Sequence, residues 1–145
     1  MNILISRCLL GEPCRYDGKS KPAPVAEALR RAGHRLIPVC PEVEGGLSTP
    51  RPPAERQRDG RVVNREGADV TAQYRLGAEK ALELARREGC TFAVLKANSP
   101  SCGGLRIYDG TFSKTLIPGQ GVAAERLMQA GVTVVDEDHI PDELL

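Results

Sequence analysis

Cys8, Cys40 and Cys102 each follow a short apolar run that reads as a β-strand: Asn2-Ile3-Leu4-Ile5-Ser6, Arg35-Leu36-Ile37-Pro38-Val39 and Phe92-Ala93-Val94-Leu95-Lys96. A thiolate binds soft metals or attacks electrophiles, and a strand end that runs into a Gly-rich turn supplies backbone N–H groups that stabilise its charge. If the three strands lie parallel in one sheet, their carboxyl ends share an edge, where open α/β folds place ligands. Three thiols then converge on one pocket, which favours a metal or a cluster. The spacings match no compact Cys-x₂-Cys pattern, so this reading rests on topology. Taken one at a time, each cysteine reads equally well as a small buried hydrophobe.

The other two cysteines differ from these. Cys90 follows Gly89 at a helix end and precedes a strand, away from the carboxyl edge, so packing is its expected role. Cys14, six positions after Cys8 in a long loop, is open to ligation, to an auxiliary role or to filling space. Glu42 stands beside Pro41, two residues after Cys40, and its carboxylate is placed where a general base acts on a group held at the thiols. Glu44, close behind, reads as solvated. Ser99 and Ser101 flank Pro100 just before Cys102, and their hydroxyls can donate to an anion, relay a proton or bond the turn's own backbone. Gly119-x-Gly121 ahead of a helix resembles an anion cradle, yet it lacks the third Gly of a dinucleotide fingerprint. His34 and His139 have no partner at ligand spacing. A Cys-x₅-Arg phosphatase loop starting at Cys8 requires Arg at position 14, which is Cys, and Arg15 misses by one.

These residues must be positioned by alternating strands and helices. The first strand leads into a Gly/Pro-rich loop from Leu9 to Pro24, then a helix from Val25 to Ala32 closed by Gly33. The stretch Pro41 to Pro53 carries four prolines and a Gly pair and is expected to be a long shaped loop without regular structure. Asp59-Gly60 signals a hairpin, and Asp69 or Thr71 caps the longest helix, ending at Gly89. A second turn signal follows at Asp109-Gly110, then a helix from Val122 to Ala130 and a strand from Val132 to Val135. The expected fold is a single α/β domain over residues 1–145, with a roughly four-stranded, mostly parallel sheet flanked by helices and hairpin insertions at the ligand edge.

Composition excludes several other classes. With 41% apolar residues among 145, the chain can bury a core without disulfides or a structural metal. Net charge is +1 and aromatic content 3%, so neither the basic footprint nor the stacking platforms of nucleic-acid binding are present. Small-molecule ligands are the expected partners. The N-terminus lacks the features of a signal peptide and no run has the length of a membrane span, which points to the cytoplasm. There, an odd set of five cysteines suits metal binding or catalysis better than disulfides.

Four segments together carry a resemblance. They are Cys8-Leu9-Leu10-Gly11, Arg15-Tyr16-Asp17-Gly18, Cys40-Pro41-Glu42-Val43-x-Gly45-Gly46-Leu47-x-x-Pro50-Arg51-x-Pro53-Ala54-Glu55, and Leu95-Lys96-x-x-Ser99-Pro100-Ser101-Cys102-Gly103. They resemble the motifs of a bacterial family, long filed as a domain of unknown function, that includes the thiouracil desulfidases. The resemblance extends through Gly121-Val122. It implies an oxygen-sensitive 4Fe–4S enzyme in which Cys8, Cys40 and Cys102 hold the cluster and one iron stays free for the sulfur of a thiolated pyrimidine. It also implies that Glu42 helps water attack the thiocarbonyl carbon and that Ser101 assists, with Ser99 and Gly103 against the substrate. The reaction yields uracil and sulfide without redox change of the substrate; whether 2- or 4-thiouracil is preferred is left open. The alternative from another class is a non-catalytic Fe–S or zinc module, a sulfur carrier or sensor, which needs no acid/base pair beside its metal.

Overall fold

The computed structural model describes residues 1–20 and 22–145. Its centre is β1 (Asn2–Ser6), a run apolar on both faces because neighbours pair with it on both edges and helices cover it front and back. It pairs in parallel with β2 (Arg35–Val39) on one side and β5 (Phe92–Val94) on the other, and β5 pairs with β8 (Thr133–Val135). The order β2-β1-β5-β8 is the expected four-stranded parallel sheet. Pro38, which has no N–H to donate, is tolerated because β2 lies at the sheet's edge.

Alternation along β1 sorts the core into two layers. Ile3 and Ile5 face α1 (Val25–Arg31) and pack with Val25, Ala26 and Leu29. Leu4 faces the other way, onto α3 (Thr71–Arg87) and α4 (Val122–Gln129), among Ala81, Leu82, Ala85, Ala124 and Leu127. Each fully buried Leu or Ile contributes about 1.5–3 kcal/mol relative to exposure. Cys90 belongs to the second layer, as a packing residue. The chain leaves β1 toward β2 on one side, and β5 continues to β8 on the other, so the connections reverse between β1 and β5. Such a reversal opens a crevice at the strands' carboxyl ends.

Two antiparallel hairpins sit above that edge: β3 (Ala54–Arg56) with β4 (Val62–Asn64), and β6 (Arg106–Tyr108) with β7 (Leu116–Pro118). Both follow the Asp-Gly turn signals. The stretch after Cys40 differs from expectation: its first residues form the short helix α2 (Pro41–Glu44). Proline disfavours a helix interior, but at the first helical position its missing N–H is not needed and its fixed φ suits the turn. Gly46, at φ +95°, ends the helix. Asp69 does not cap α3 in the expected manner; it accepts from the Thr71 N–H at 2.9 Å in a turn just ahead of the helix. Among the described residues no helix is long and apolar enough to cross a membrane.

Candidate metal centre and active site

The crevice is a cavity of about 620 Å³, and Cys8, Cys14, Cys40 and Cys102 all line it. Cys8 sits in the 3-10 turn Arg7–Leu10 that continues β1, and Cys40 is the residue between β2 and α2. Cys102 does not come directly off its strand. β5 ends at Val94, and the turn from Ala97 to Gly103 folds back to bring the sulfur to the edge. The fold-back is held by α4, whose leading N–H groups are taken by the turn: Val122 donates to the Pro100 carbonyl at 2.9 Å and Ala124 to that of Ser101 at 3.0 Å. A Cβ at Gly121 would lie 2.5 Å from the Ser101 carbonyl carbon. Gly119-x-Gly121 is therefore not an anion cradle, because the serine turn itself occupies that helix end.

All five cysteines are free and buried. Burial pushes the Cys102 thiol up to about 12, against the pull of the Ser6 hydroxyl donor. Cys40 is pushed up by its hydrogen bond with Cys14 and by burial. The contact with Cys40 pulls Cys14 down, but Cys8 and burial push it up further. The metal-free thiols of Cys14, Cys40 and Cys102 therefore carry protons at neutral pH, and a metal must displace them. Three soft, buried sulfurs from separate elements on one wall suit an iron–sulfur cluster. Among the described residues no three cysteine sulfurs lie within 4.8 Å of one another, as they would for a single small ion. Cys102 also receives the Ser6 hydroxyl at 3.4 Å, a donor aimed at a sulfur.

Beside the thiols lies a polar chain with a fixed direction. Ser99 Oγ accepts from the N–H groups of Ser101 and Cys102, both at 3.1 Å, so its own proton goes to Ser101 Oγ at 3.0 Å. Ser101 Oγ in turn donates to Glu42 Oε2 at 2.8 Å. With that proton committed, the 3.6 Å approach of Ser101 Oγ to the Cys102 sulfur is a contact without donation. The other carboxylate oxygen, Glu42 Oε1, accepts from Arg51 Nε at 3.0 Å. Glu42, Ser99 and Ser101 thus meet beside the three cysteines. Gly103 does not join them. It is buried under the turn, where a Cβ would lie 2.8 Å from the Ser99 carbonyl oxygen, and it does not line the cavity.

A model of the 2-thiouracil desulfurase family matches residues 3–139. The chain belongs to that family. The uncharacterized protein YbbK of Bacillus subtilis (strain 168) is 40% identical over 153 residues, covering 98% of this chain and 99% of that protein. A solved structure, the [4Fe-4S]-dependent thiouracil desulfidase TudS, is 48% identical and superposes with a TM-score of 0.90, covering 97% of this chain and 93% of that one.

Within this desulfurase fold, several wall residues carry no obvious mark in the sequence. Arg51 reaches in from the proline-rich loop and is nearly closed from solvent, donating to Ser48 O, Thr49 Oγ1 and Cys14 O as well as to Glu42. Its signals are its place between Pro50 and Pro53 and within the motif from Cys40 to Glu55, neither of which says what it bonds. Tyr74, on the buried face of α3, reads as core, yet it lines the cavity; burial and then the nearby Glu42 charge push its hydroxyl well up. Tyr16, Tyr108 and Phe112 line the same cavity. Four of the chain's five aromatic residues, three tyrosines and two phenylalanines in all, therefore face one pocket. His34 and His139 lie elsewhere, bonded to Leu144 O and Asp136.

Proposed function

We propose that this chain is a 4Fe–4S-dependent desulfidase that converts thiouracil to uracil and sulfide, with Cys8, Cys40 and Cys102 as the cluster's ligands. The observation that carries the reading is the 2.8 Å bond from Ser101 to Glu42 beside three buried thiols. A module that only stored metal or sulfur needs no oriented carboxylate there. When bound, the cluster supplies a Lewis acid for sulfur that draws electron density from the thiocarbonyl carbon.

The protein's own groups do the rest. Arg51 fixes one oxygen of Glu42, and the carboxylate takes a proton from a water directed at the thiocarbonyl carbon. Ser101, bonded to Ser99 on one side and Glu42 on the other, is placed to pass that proton on to the departing sulfur. Oxygen replaces sulfur on the ring and no electron is exchanged. The aromatic lining suits a flat heterocycle, which is the partner chemistry we assign. Five free thiols suit a reducing compartment, which supports our assignment of the enzyme to the cytoplasm.

Anaerobic reconstitution followed by iron and sulfide analysis and incubation with 2- and 4-thiouracil tests the reading. Uracil and sulfide should appear in equal amounts. Glu42→Ala and Ser101→Ala should keep their iron and lose turnover. Iron retained in the unaltered protein with no sulfide released from either thiouracil would leave only a binding module.

A further inference from the structure

The connection between β6 and β7 is longer and stiffer than a hairpin needs. Tyr108 pairs with Leu116, so seven residues close a turn that two can close. Within it Gly110, Phe112 and Lys114 all have left-handed backbone, at φ +96°, +57° and +60°. For Phe and Lys that region crowds Cβ against the carbonyl, and such conformations persist only where the surroundings over-determine them.

The surroundings here are specific. Glu55 on β3 is a buried carboxylate, 8% exposed, and its Oε1 accepts from the N–H of Gly110 at 2.9 Å and of Phe112 at 3.1 Å. Gln57 Nε2 donates to the Gly110 carbonyl at 3.3 Å. Gly110 is packed so closely that a Cβ would lie 3.0 Å from Gln57 Oε1 and 3.2 Å from the Arg56 carbonyl. One hairpin thus straps the other down by its backbone. The side chains so fixed, Phe112 and Lys114, line the cavity above the thiols. The Arg65 guanidinium lies 5.7 Å from the centre of the Phe112 ring and holds it from one side.

We propose that this strap is the specificity element of the enzyme: Phe112 is a rigid wall on which the flat ring of the substrate stacks, and Glu55 is a positioning residue that holds the wall in place. The ring's identity as a thiopyrimidine rests on the desulfidase reading; the wall itself does not. Stacking selects planar heterocycles by their π-face and adds affinity without taking part in the exchange of sulfur for oxygen, so its loss falls on KM. A single ring under a base is worth roughly five- to a hundredfold in affinity by alanine substitution.

The test compares the cluster-loaded wild type with Phe112→Ala, Phe112→Tyr, Glu55→Ala and Glu55→Gln, by iron content, calorimetric binding of uracil, and turnover of 2- and 4-thiouracil. Phe112→Ala should weaken uracil binding and raise KM by the same factor, about tenfold or more, with kcat within about threefold and iron unchanged. Phe112→Tyr, which keeps a ring, and Glu55→Gln, which keeps an oxygen able to accept from both N–H groups, should stay close to wild type; Glu55→Ala should follow Phe112→Ala. Uracil binding and KM unchanged in Phe112→Ala, with sulfide still released from thiouracil, would overturn the strap and leave the desulfidase standing. Phe112-dependent uracil binding without sulfide release by wild type would support the wall and overturn the desulfidase. Neither binding nor release by wild type would overturn both.

Discussion

Arg51 donates through Nε to Glu42 Oε1 at 3.0 Å, and neither side chain has much solvent around it. The same guanidinium bonds the Cys14 carbonyl at 2.9 Å, so one side chain joins the proposed base to the loop that follows Cys8. A charge-assisted contact of this kind fixes orientation as well as energy.

Removing the guanidinium should cost turnover more than binding. A positioned general base is worth about 10²–10⁴-fold in rate. Arg51→Ala should lower kcat by about 10²-fold with KM little changed, and Arg51→Lys should recover only part, because an ammonium cannot reproduce the planar fork. Steady-state kinetics normalised to iron content reads this. Unchanged kcat in Arg51→Ala would mean that Glu42 needs no such support.

The second prediction concerns how α2 is held. A Cβ on Gly77 of α3 would lie 1.9 Å from the Pro41 carbonyl oxygen and 2.7 Å from its carbon, and one on Gly45 would lie 2.0 Å from the Gln73 carbonyl oxygen. These are backbone atoms, so no side chain can swing away. Gly77→Ala must push α2 off α3 and shift Cys40 and Glu42 with it. The expected loss is about 1–3 kcal/mol in denaturant unfolding, as for other overpacked sites, together with reduced iron content. Leu76→Ala, at an exposed position on the same helix, should fall within about 0.5 kcal/mol of wild type.

How much of the fold and site is legible in the sequence follows from how local each signal is. Cys8 and Cys40 at one edge were legible because β1 and β2 are short apolar runs whose ends a parallel sheet aligns, whereas Cys102 reaches that edge only through the turn that α4 holds back after β5. Glu42 and Ser101 were legible as candidates from their places beside Cys40 and Cys102, and motif resemblance supplied the roles expected of them. The helix at Pro41 was hidden, since four prolines and a glycine pair argue for loop unless the first proline is seen to occupy a helix's first position. Arg51 and Glu55 were not legible as working residues, because their partners lie on other elements: Cys14 O for one, the Gly110 and Phe112 N–H groups for the other. Gly119-x-Gly121 misled for the same reason, its helix end being filled by the distant turn at Ser101.

The thiols also predict how the metal-free protein responds to alkali. Cys102 holds its proton up to about pH 12 in the fold, whereas an unfolded thiol loses it near 9.0. Between those values the unfolded state binds fewer protons, so stability is complete below pH 9 and falls as pH rises. At pH 10 Cys102 alone accounts for on the order of 1 kcal/mol of that loss, and Cys40, Cys14, Cys90 and Tyr74 are shifted in the same direction. Urea unfolding of the metal-free, reduced protein should show a level midpoint from pH 7 to 8.5 and a clear drop by pH 10. Cys102→Ala should flatten part of that drop, and a midpoint that rises with pH would contradict the burial of these groups.

Ser6 provides the last prediction, because its hydroxyl has only one use for its proton. Its oxygen accepts from the Lys96 N–H at 2.9 Å, and its hydrogen is left for the Cys102 sulfur at 3.4 Å. A donor aimed at an iron-bound sulfur stabilises the more negative, reduced state of a cluster and raises its potential. Ser6→Ala should therefore lower the potential of the loaded protein in redox titration followed by electron paramagnetic resonance, while Ser6→Thr, which keeps the hydroxyl, should match wild type. The alanine variant also leaves the Lys96 N–H without its partner, at a cost of about 1–3 kcal/mol to the fold. That second effect is common to any role for Ser6, so the potential is the deciding readout: if it stays put in Ser6→Ala, the Cys102 sulfur is not an iron ligand under that hydroxyl.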